Sequence, residues 1–132
     1  MAAITNPQEA FLESKIMSAP KEALTLMLYE GALKFANQAI HAIETQKQDK
    51  VNGYIKRVCD IIQELQLTLD RKYPISKEFD ALYDYVIDCV TEGAAGMDAQ
   101  KIRDAADIIR EFRDTWSAAM KNAKQEQSHA AK

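Results

Sequence analysis

Histidine and cysteine are the side chains in this sequence best suited to catalysis or metal binding, and there are few of them. They are Cys59, Cys89, His41 and His129. A zinc site needs three or four such ligands at suitable spacing, and the His-x-x-x-His motif of helical metal sites does not occur. We therefore expect no metal and no cofactor. We interpret the cysteines as small, mostly buried residues of a reducing compartment, without a disulfide.

Phosphotransfer is the one reaction that the sequence leaves open, and it depends on His41. Four-helix phosphotransfer domains carry a phosphorylated histidine on an exposed helix face. His41 lies within Ala39–Ile43, without the lysine and glycine that usually follow such a histidine closely. We interpret it as a surface residue, and the many carboxylates as a solvated face with i,i+4 ion pairs. The sequence therefore favours a protein that is not an enzyme, with histidine phosphotransfer at His41 as an alternative.

The composition is that of one ordinary globular domain. The chain has 132 residues, of which 47% are hydrophobic and 28% charged, and its formal net charge is −3. This balance lacks the basic footprint of a nucleic-acid-binding protein. Charges interrupt every long apolar run, so we expect no membrane insertion. The first residues lack the positive and apolar regions of a secretory signal, so we expect a cytoplasmic location.

Apolar residues repeat with helical spacing along most of the chain, and no strand-like alternation is present. Four helices with short links favour an all-α fold, an antiparallel up-down-up-down four-helix bundle. The expected helix starts are Ser18 with Pro20, Asp49, Ser76 and Asp98. The predicted organisation is an N-terminal arm or lid at residues 1–17, the bundle at 18–124 and a disordered tail at 125–132. The predicted core consists of Leu28, Phe35, Ile55, Ile62, Leu65, Leu82, Val86, Ile109, Phe112 and Trp116.

The first predicted helix carries two apolar stripes, whereas a helix that only covers a core needs one stripe of about 100°. The stripe with Leu28 and Phe35 is assigned to the core. The second stripe either lies in the core as well, beneath the arm, or forms a groove for an amphipathic segment of another chain. The arm carries Phe11 and Ile16, which we predict to act as a displaceable lid. A structural module that dimerises through this apolar surface is a further alternative.

Each predicted helix also contains one short motif. In chain order the motifs are Met27-Leu28-Tyr29-Glu30-Gly31-Ala32, Ile61-Ile62-Gln63-Glu64-Leu65, Leu82-Tyr83-Asp84-Tyr85 and Arg113-Asp114-Thr115-Trp116. Together they resemble the flagellin-specific export chaperones, the FliS family, over roughly residues 11 to 120. The spacing of Phe11 and Ile16 also fits the family's N-terminal aromatic residue, which a branched apolar residue follows five positions later.

The resemblance implies a cytosolic chaperone without catalytic activity. Such proteins hold the disordered C-terminal segment of flagellin, prevent its premature polymerisation and deliver it to the flagellar export apparatus. On this interpretation the second stripe of the first helix and its neighbours are the predicted contacts to flagellin. These contacts are Leu26, Tyr29, Leu33, Ile40, Ile61 and Tyr85.

Overall fold

Four α-helices make up the part of the chain that the computed structural model describes, residues 21–130, with side chains at 23–119 and 121. They are α1 (Lys21–Glu44), α2 (Gln48–Leu67), α3 (Ser76–Ala95) and α4 (Ala99–Ala130). No strand occurs within these residues, so the all-α prediction is confirmed. The predicted arm, with Phe11 and Ile16, lies outside the described residues.

Neighbouring helices run antiparallel around a ring. Between α2 and α3, Cys59 Sγ lies 3.9 Å from Thr91 Oγ1, and Gln66 Nε2 donates a hydrogen bond to Asp84 Oδ1 at 2.8 Å. Moving forward along α2 therefore moves backward along α3. Each helix packs mainly against two others, in the cyclic order α1, α2, α3, α4. This is the predicted up-down-up-down bundle, and its short links leave adjacent helices no other arrangement.

The core runs along the axis of the bundle. Of the predicted core residues, five are buried: Ile55, Ile62, Leu65, Val86 and Ile109. Four more are half-buried and pack against its edge: Leu28, Phe35, Phe112 and Trp116. Leu82 was predicted to be buried, and this is wrong, because its side chain is 41% exposed. The buried seam of α3 runs through Tyr83, Val86 and Val90, and the residue before Tyr83 is turned about 100° away from it.

Helix ends differ from the sequence prediction in three places. Ser76 is buried as the first residue of α3 and does not cap it, since Ile75 holds the N-cap position without a side-chain hydrogen bond. Asp49 lies in the first turn of α2, after the N-cap residue Lys47. The fourth helix continues to Ala130, through most of the segment expected to be disordered. That segment lacks a hydrophobic period, but it is rich in alanine, lysine, glutamine and glutamate, which favour a helix without needing a partner.

The two short links turn through residues with a left-handed backbone. Gln46 has φ 59° and Met97 has φ 51°, a conformation that lets a chain leave a helix and reverse direction within three residues. At the second link, α3 and α4 approach each other at Gly93. A Cβ atom there would lie 2.8 Å from Ile102 Cγ1 and 3.0 Å from the carbonyl oxygen of Asp98. The close corner between α3 and α4 therefore requires a glycine.

Candidate functional site

An aromatic cluster joins three helices near the start of α1. The hydroxyls of Tyr29 and Tyr83 lie 2.6 Å apart and share a buried hydrogen bond. Phe112 of α4 stacks on Tyr29 with ring centroids 5.7 Å apart, and its ring meets that of Phe79 edge to face at 5.3 Å. The hydrogen bond satisfies two polar groups that burial would otherwise leave unpaired. The cluster therefore fixes the relative positions of α1, α3 and α4.

Burial sets the electrostatics of this tyrosine pair. It raises the pKa of the Tyr83 hydroxyl, and the hydrogen bond to Tyr29 raises that pKa further. Burial also raises the pKa of Tyr29, while the hydrogen bond to Tyr83 partly offsets this increase. Both hydroxyls are thus neutral over the physiological pH range, and they serve as a structural contact.

An apolar cavity of about 570 Å³ opens above this cluster, between the start of α1, the α2–α3 link and α4. It is lined by Thr25, Tyr29, Leu65, Thr68, Leu69, Asp70, Tyr73, Ile75, Ser76, Phe79, Tyr83 and Trp116. On its rim, Tyr73 is 61% exposed and Ile75 is 52% exposed. Aromatic and aliphatic side chains around a concave surface suit the apolar side chains of a peptide, and the exposed hydroxyl of Tyr73 can bind its backbone.

The six predicted contact residues do not form one groove. Tyr29, Leu33 and Ile40 are buried in the core at 4%, 5% and 8% exposure. Leu26 and Ile61 are half-buried. Only Tyr85 is well exposed, at 52%. Of the six, Tyr29 alone lines the cavity.

Ile61 and Tyr85 lie on opposite sides of the bundle. Ile61 Cδ1 would be 3.5 Å from a Cβ atom at Gly31, so Ile61 belongs to the face between α1 and α2. Tyr85 points toward α4: a hydrogen bond to Cys89 and, to a smaller extent, the carboxylate of Asp104 on α4 raise the pKa of its hydroxyl. In a ring of four helices these two faces are opposite each other.

The second stripe of α1 is the more deeply buried of the two. Its members Tyr29, Leu33 and Ile40 lie in the core, whereas Leu28 and Phe35 of the other stripe are half-buried and pack against the edge of the core. The ammonium of Lys34 and the guanidinium of Arg57 lie 5.9 Å and 5.1 Å from the centre of the Phe35 ring, a position suited to an aromatic side chain at the surface.

Sequence reasoning missed the rim of the cavity. Tyr73 and Ile75 lie outside the helical periodicity, on the α2–α3 link. Two large apolar residues around Pro74, directly after the charged run Asp70-Arg71-Lys72, are the signal that could have revealed them, since exposed apolar groups in a link often belong to a binding surface.

Catalytic and metal-binding residues are not brought together in the described part of the chain. His41 is exposed, and among these residues no three His, Cys, Asp or Glu side chains are placed to hold a metal. Both cysteines are free and half-buried, and burial raises the pKa of the Cys59 thiol, which lowers its reactivity. The sequence does contain one Glu-x-x-His spacing, at Glu126 and His129, whose side chains lie outside the described set.

Comparison with known proteins decides the family. A family model described as "Flagellar protein FliS" matches residues 4–123, nearly the whole chain. The chain belongs to the FliS family. The flagellar secretion chaperone FliS of Bacillus subtilis (strain 168) is 32% identical over 124 residues, which are 94% of this chain and 93% of that protein. The FliS chaperone of Vibrio cholerae is 26% identical over 80% of this chain and 79% of its own. That of Escherichia coli (strain K12) is 23% identical over 83% and 82%.

FliS membership confirms the resemblance seen in the four helix motifs. It also confirms that the chain is a flagellar secretion chaperone and not an enzyme, so the phosphotransfer alternative at His41 is set aside. Among the described helices, none is both long and apolar enough to cross a membrane.

Proposed function

We propose that this chaperone binds the disordered C-terminal segment of flagellin in the cytoplasm, prevents its premature polymerisation and passes it to the flagellar export apparatus. The observation that carries the proposal is the open apolar cavity whose rim exposes Tyr73 and Ile75. A segment whose apolar residues drive filament assembly can bury them in such a cavity, so that they no longer contact other flagellin molecules.

The proposed contacts follow from the positions of the predicted residues. Tyr29 is in the wall of the cavity, and Leu26 lies in the same turn of α1. Ile61 and Tyr85 lie on other faces, and a flagellin segment contacts them only where it continues around the bundle in an extended form. Leu33 and Ile40 are buried and support the site from the core, and their direct contact with flagellin stays a prediction.

The arm provides the proposed lid. Residues 1–17 are joined to α1 close to Thr25, which lines the cavity, so Phe11 and Ile16 are within reach of it. A lid made of this arm covers apolar surface until flagellin displaces it. The apparent affinity for flagellin is then the affinity of the open form multiplied by the fraction of molecules whose lid is open.

Isothermal titration calorimetry with a C-terminal flagellin segment tests the proposal. The double variant Tyr73→Glu/Ile75→Glu places two charges on the rim, at positions exposed enough to leave the bundle folded. We expect its affinity to fall by about tenfold or more, because the apolar side chains of the segment then face charges.

The matched control adds the same two charges to exposed polar positions, as Gln63→Glu/Thr115→Glu. It should bind like the unmodified protein. If the rim variant and the control bind with equal affinity and their melting curves are unchanged, the cavity is not part of the flagellin-binding site.

A further inference from the structure

The link between α2 and α3, residues 68–75, carries the exposed rim of the cavity. Burial holds the link at its two ends, because Leu69 packs against the core and Ser76, the first residue of α3, is buried. Between these anchors Tyr73 is 61% exposed, and its backbone hydrogen bonds reach only three residues away, to Asp70 and Ser76. Such short-range bonds shape a turn, but they do not tie it to the body of either helix.

The side chain of Arg71 ties this turn to both helices. Its Nη2 atom donates a hydrogen bond at 3.0 Å to the carbonyl oxygen of Gln66, in the last turn of α2. Carbonyl groups there lack intrahelical partners, so a cation also complements this helix end. Its Nη1 atom donates to the carboxylate of Asp80, in the second turn of α3. Because the planar guanidinium presents its donors in fixed directions, one side chain bridges the end of α2 and the start of α3.

A second polar contact holds the two ends of this bridge in place. Gln66 Nε2 donates a hydrogen bond at 2.8 Å to Asp84 Oδ1, one turn beyond Asp80 on α3. The partners of Arg71 therefore belong to helix ends that are already tied to each other. An arginine that binds both of them fixes the turn between them.

The Arg71 bridge lies outside the cavity. Neither Arg71 nor Asp80 is among the lining residues, although their neighbours Asp70 and Phe79 are. The side chain of Arg71 is 55% exposed, so its ion pair adds little to the stability of the bundle as a whole. A change at Arg71 therefore reaches a peptide in the cavity through the position of Tyr73.

We propose that Arg71 is a positioning residue of the flagellin-binding site, an inference that rests on the proposed function of the cavity. Arg71 holds Tyr73 on the rim before flagellin arrives, whereas Ile75, the other exposed rim residue, is held as the N-cap of α3. An ordered rim binds more tightly, since less conformational entropy is lost on binding. When the rim is ordered in only a fraction of molecules, the apparent affinity falls by that fraction.

Hydrogen exchange on the free, full-length chain tests whether Arg71 orders the link. In Arg71→Ala, the amides of Lys72 and Tyr73, which are bonded to Asp70 within the turn, should exchange several-fold faster. The melting temperature and the exchange of the buried helix amides should stay the same. The matched control is Arg103→Ala. It removes the same charge and a similarly exposed ion pair between two helices, the one with Glu44, and should leave exchange in the link unchanged.

Binding kinetics with the C-terminal flagellin segment test whether this order matters for the site. Arg71→Ala should lower the affinity by about threefold to tenfold, mainly through a slower association rate, because only molecules with an ordered rim bind. Asp80→Ala should lower it in the same direction. The double variant should bind no more weakly than Arg71→Ala, since the partner of Asp80 is already gone. Arg103→Ala should bind like the unmodified protein.

Three results would overturn the proposal. They are unchanged exchange in the link of Arg71→Ala, unchanged affinity of that variant, or a loss confined to faster dissociation. The last result would make Arg71 a direct contact to flagellin.

Failure of this inference differs from failure of the flagellin proposal. If Tyr73→Glu/Ile75→Glu loses affinity and Arg71→Ala does not, only the role of Arg71 is wrong. If Tyr73→Glu/Ile75→Glu binds like its control, the cavity is not the flagellin-binding site, whatever Arg71 does to the link.

Discussion

At the scale of single residues, the Tyr29–Tyr83 hydrogen bond is the most specific contact in the core. It crosses the bundle between α1 and α3, and the ring of Phe112 packs against both tyrosines. Neither tyrosine can be replaced without leaving the other hydroxyl buried and unpaired. The wall of the cavity therefore depends on a polar pair in an otherwise apolar core.

This pair should make the fold sensitive to alkaline pH. Both hydroxyls have a raised pKa in the folded protein, whereas an unfolded tyrosine ionises near about 10. The stabilisation is therefore complete below about pH 10 and is lost as the pH rises through the folded pKa values. In chemical denaturation, Tyr29→Phe/Tyr83→Phe should flatten this alkaline decrease in the free energy of unfolding. Tyr73→Phe, which removes an exposed hydroxyl, should leave this alkaline decrease unchanged. If the free energy of unfolding depends on pH in the same way in the unmodified protein and in both variants, the Tyr29–Tyr83 pair is not its cause.

At the scale of helices, the sequence predicts most clearly the elements that have a single apolar seam. Of the five core residues predicted on α2 and α3, all except Leu82 follow the seam and are buried, as in Ile62 and Val86. On α1 both stripes have apolar residues at helical spacing, and only packing against three other helices decides which one turns inward. The rim residues Tyr73 and Ile75 have no period at all, so a method based on periodicity cannot find them.

The α3–α4 corner gives a prediction at this scale. Gly93→Ala places a methyl group 2.8 Å from Ile102 Cγ1 and 3.0 Å from a backbone oxygen. To relieve these close contacts, α3 and α4 must move apart, which should lower the free energy of unfolding by about 1–3 kcal/mol.

Gly53→Ala is the matched control. Gly53 lies on the exposed side of α2 with nothing within 4 Å of a Cβ atom, so alanine there should stabilise the helix by up to about 1 kcal/mol. Denaturant titrations of both variants test the pair. A Gly93→Ala protein as stable as Gly53→Ala would show that the corner has room for a side chain.

At the scale of the whole molecule, the described part of the bundle has two concave surfaces of different composition. The apolar cavity lies where α1 begins, and a cleft that includes Lys34 and Lys47 lies along the second half of α1. Along α1 the cavity lining ends at Tyr29 and the cleft lining begins at Lys34, which is a distance of about 7.5 Å along the helix axis.

Deletion of the N-terminal arm gives a prediction at this scale. Deleting residues 1–17 should leave the melting temperature of the bundle close to its original value and should leave flagellin affinity equal or higher, because a competitor for the cavity is gone. Calorimetry on the truncated and complete chains measures both. A truncated protein that is folded but no longer binds flagellin would make the arm part of the site and not a lid.

The most direct measurement for the central claim is the heat-capacity change when the unmodified protein binds the flagellin C-terminal segment. Titrations at several temperatures should give a strongly negative value with little dependence on salt, because a disordered segment buries apolar surface in the cavity as it folds. The same value should shrink in Tyr73→Glu/Ile75→Glu and persist in Gln63→Glu/Thr115→Glu. Absence of binding, or binding with a heat-capacity change near zero and a steep dependence on salt, would contradict the account.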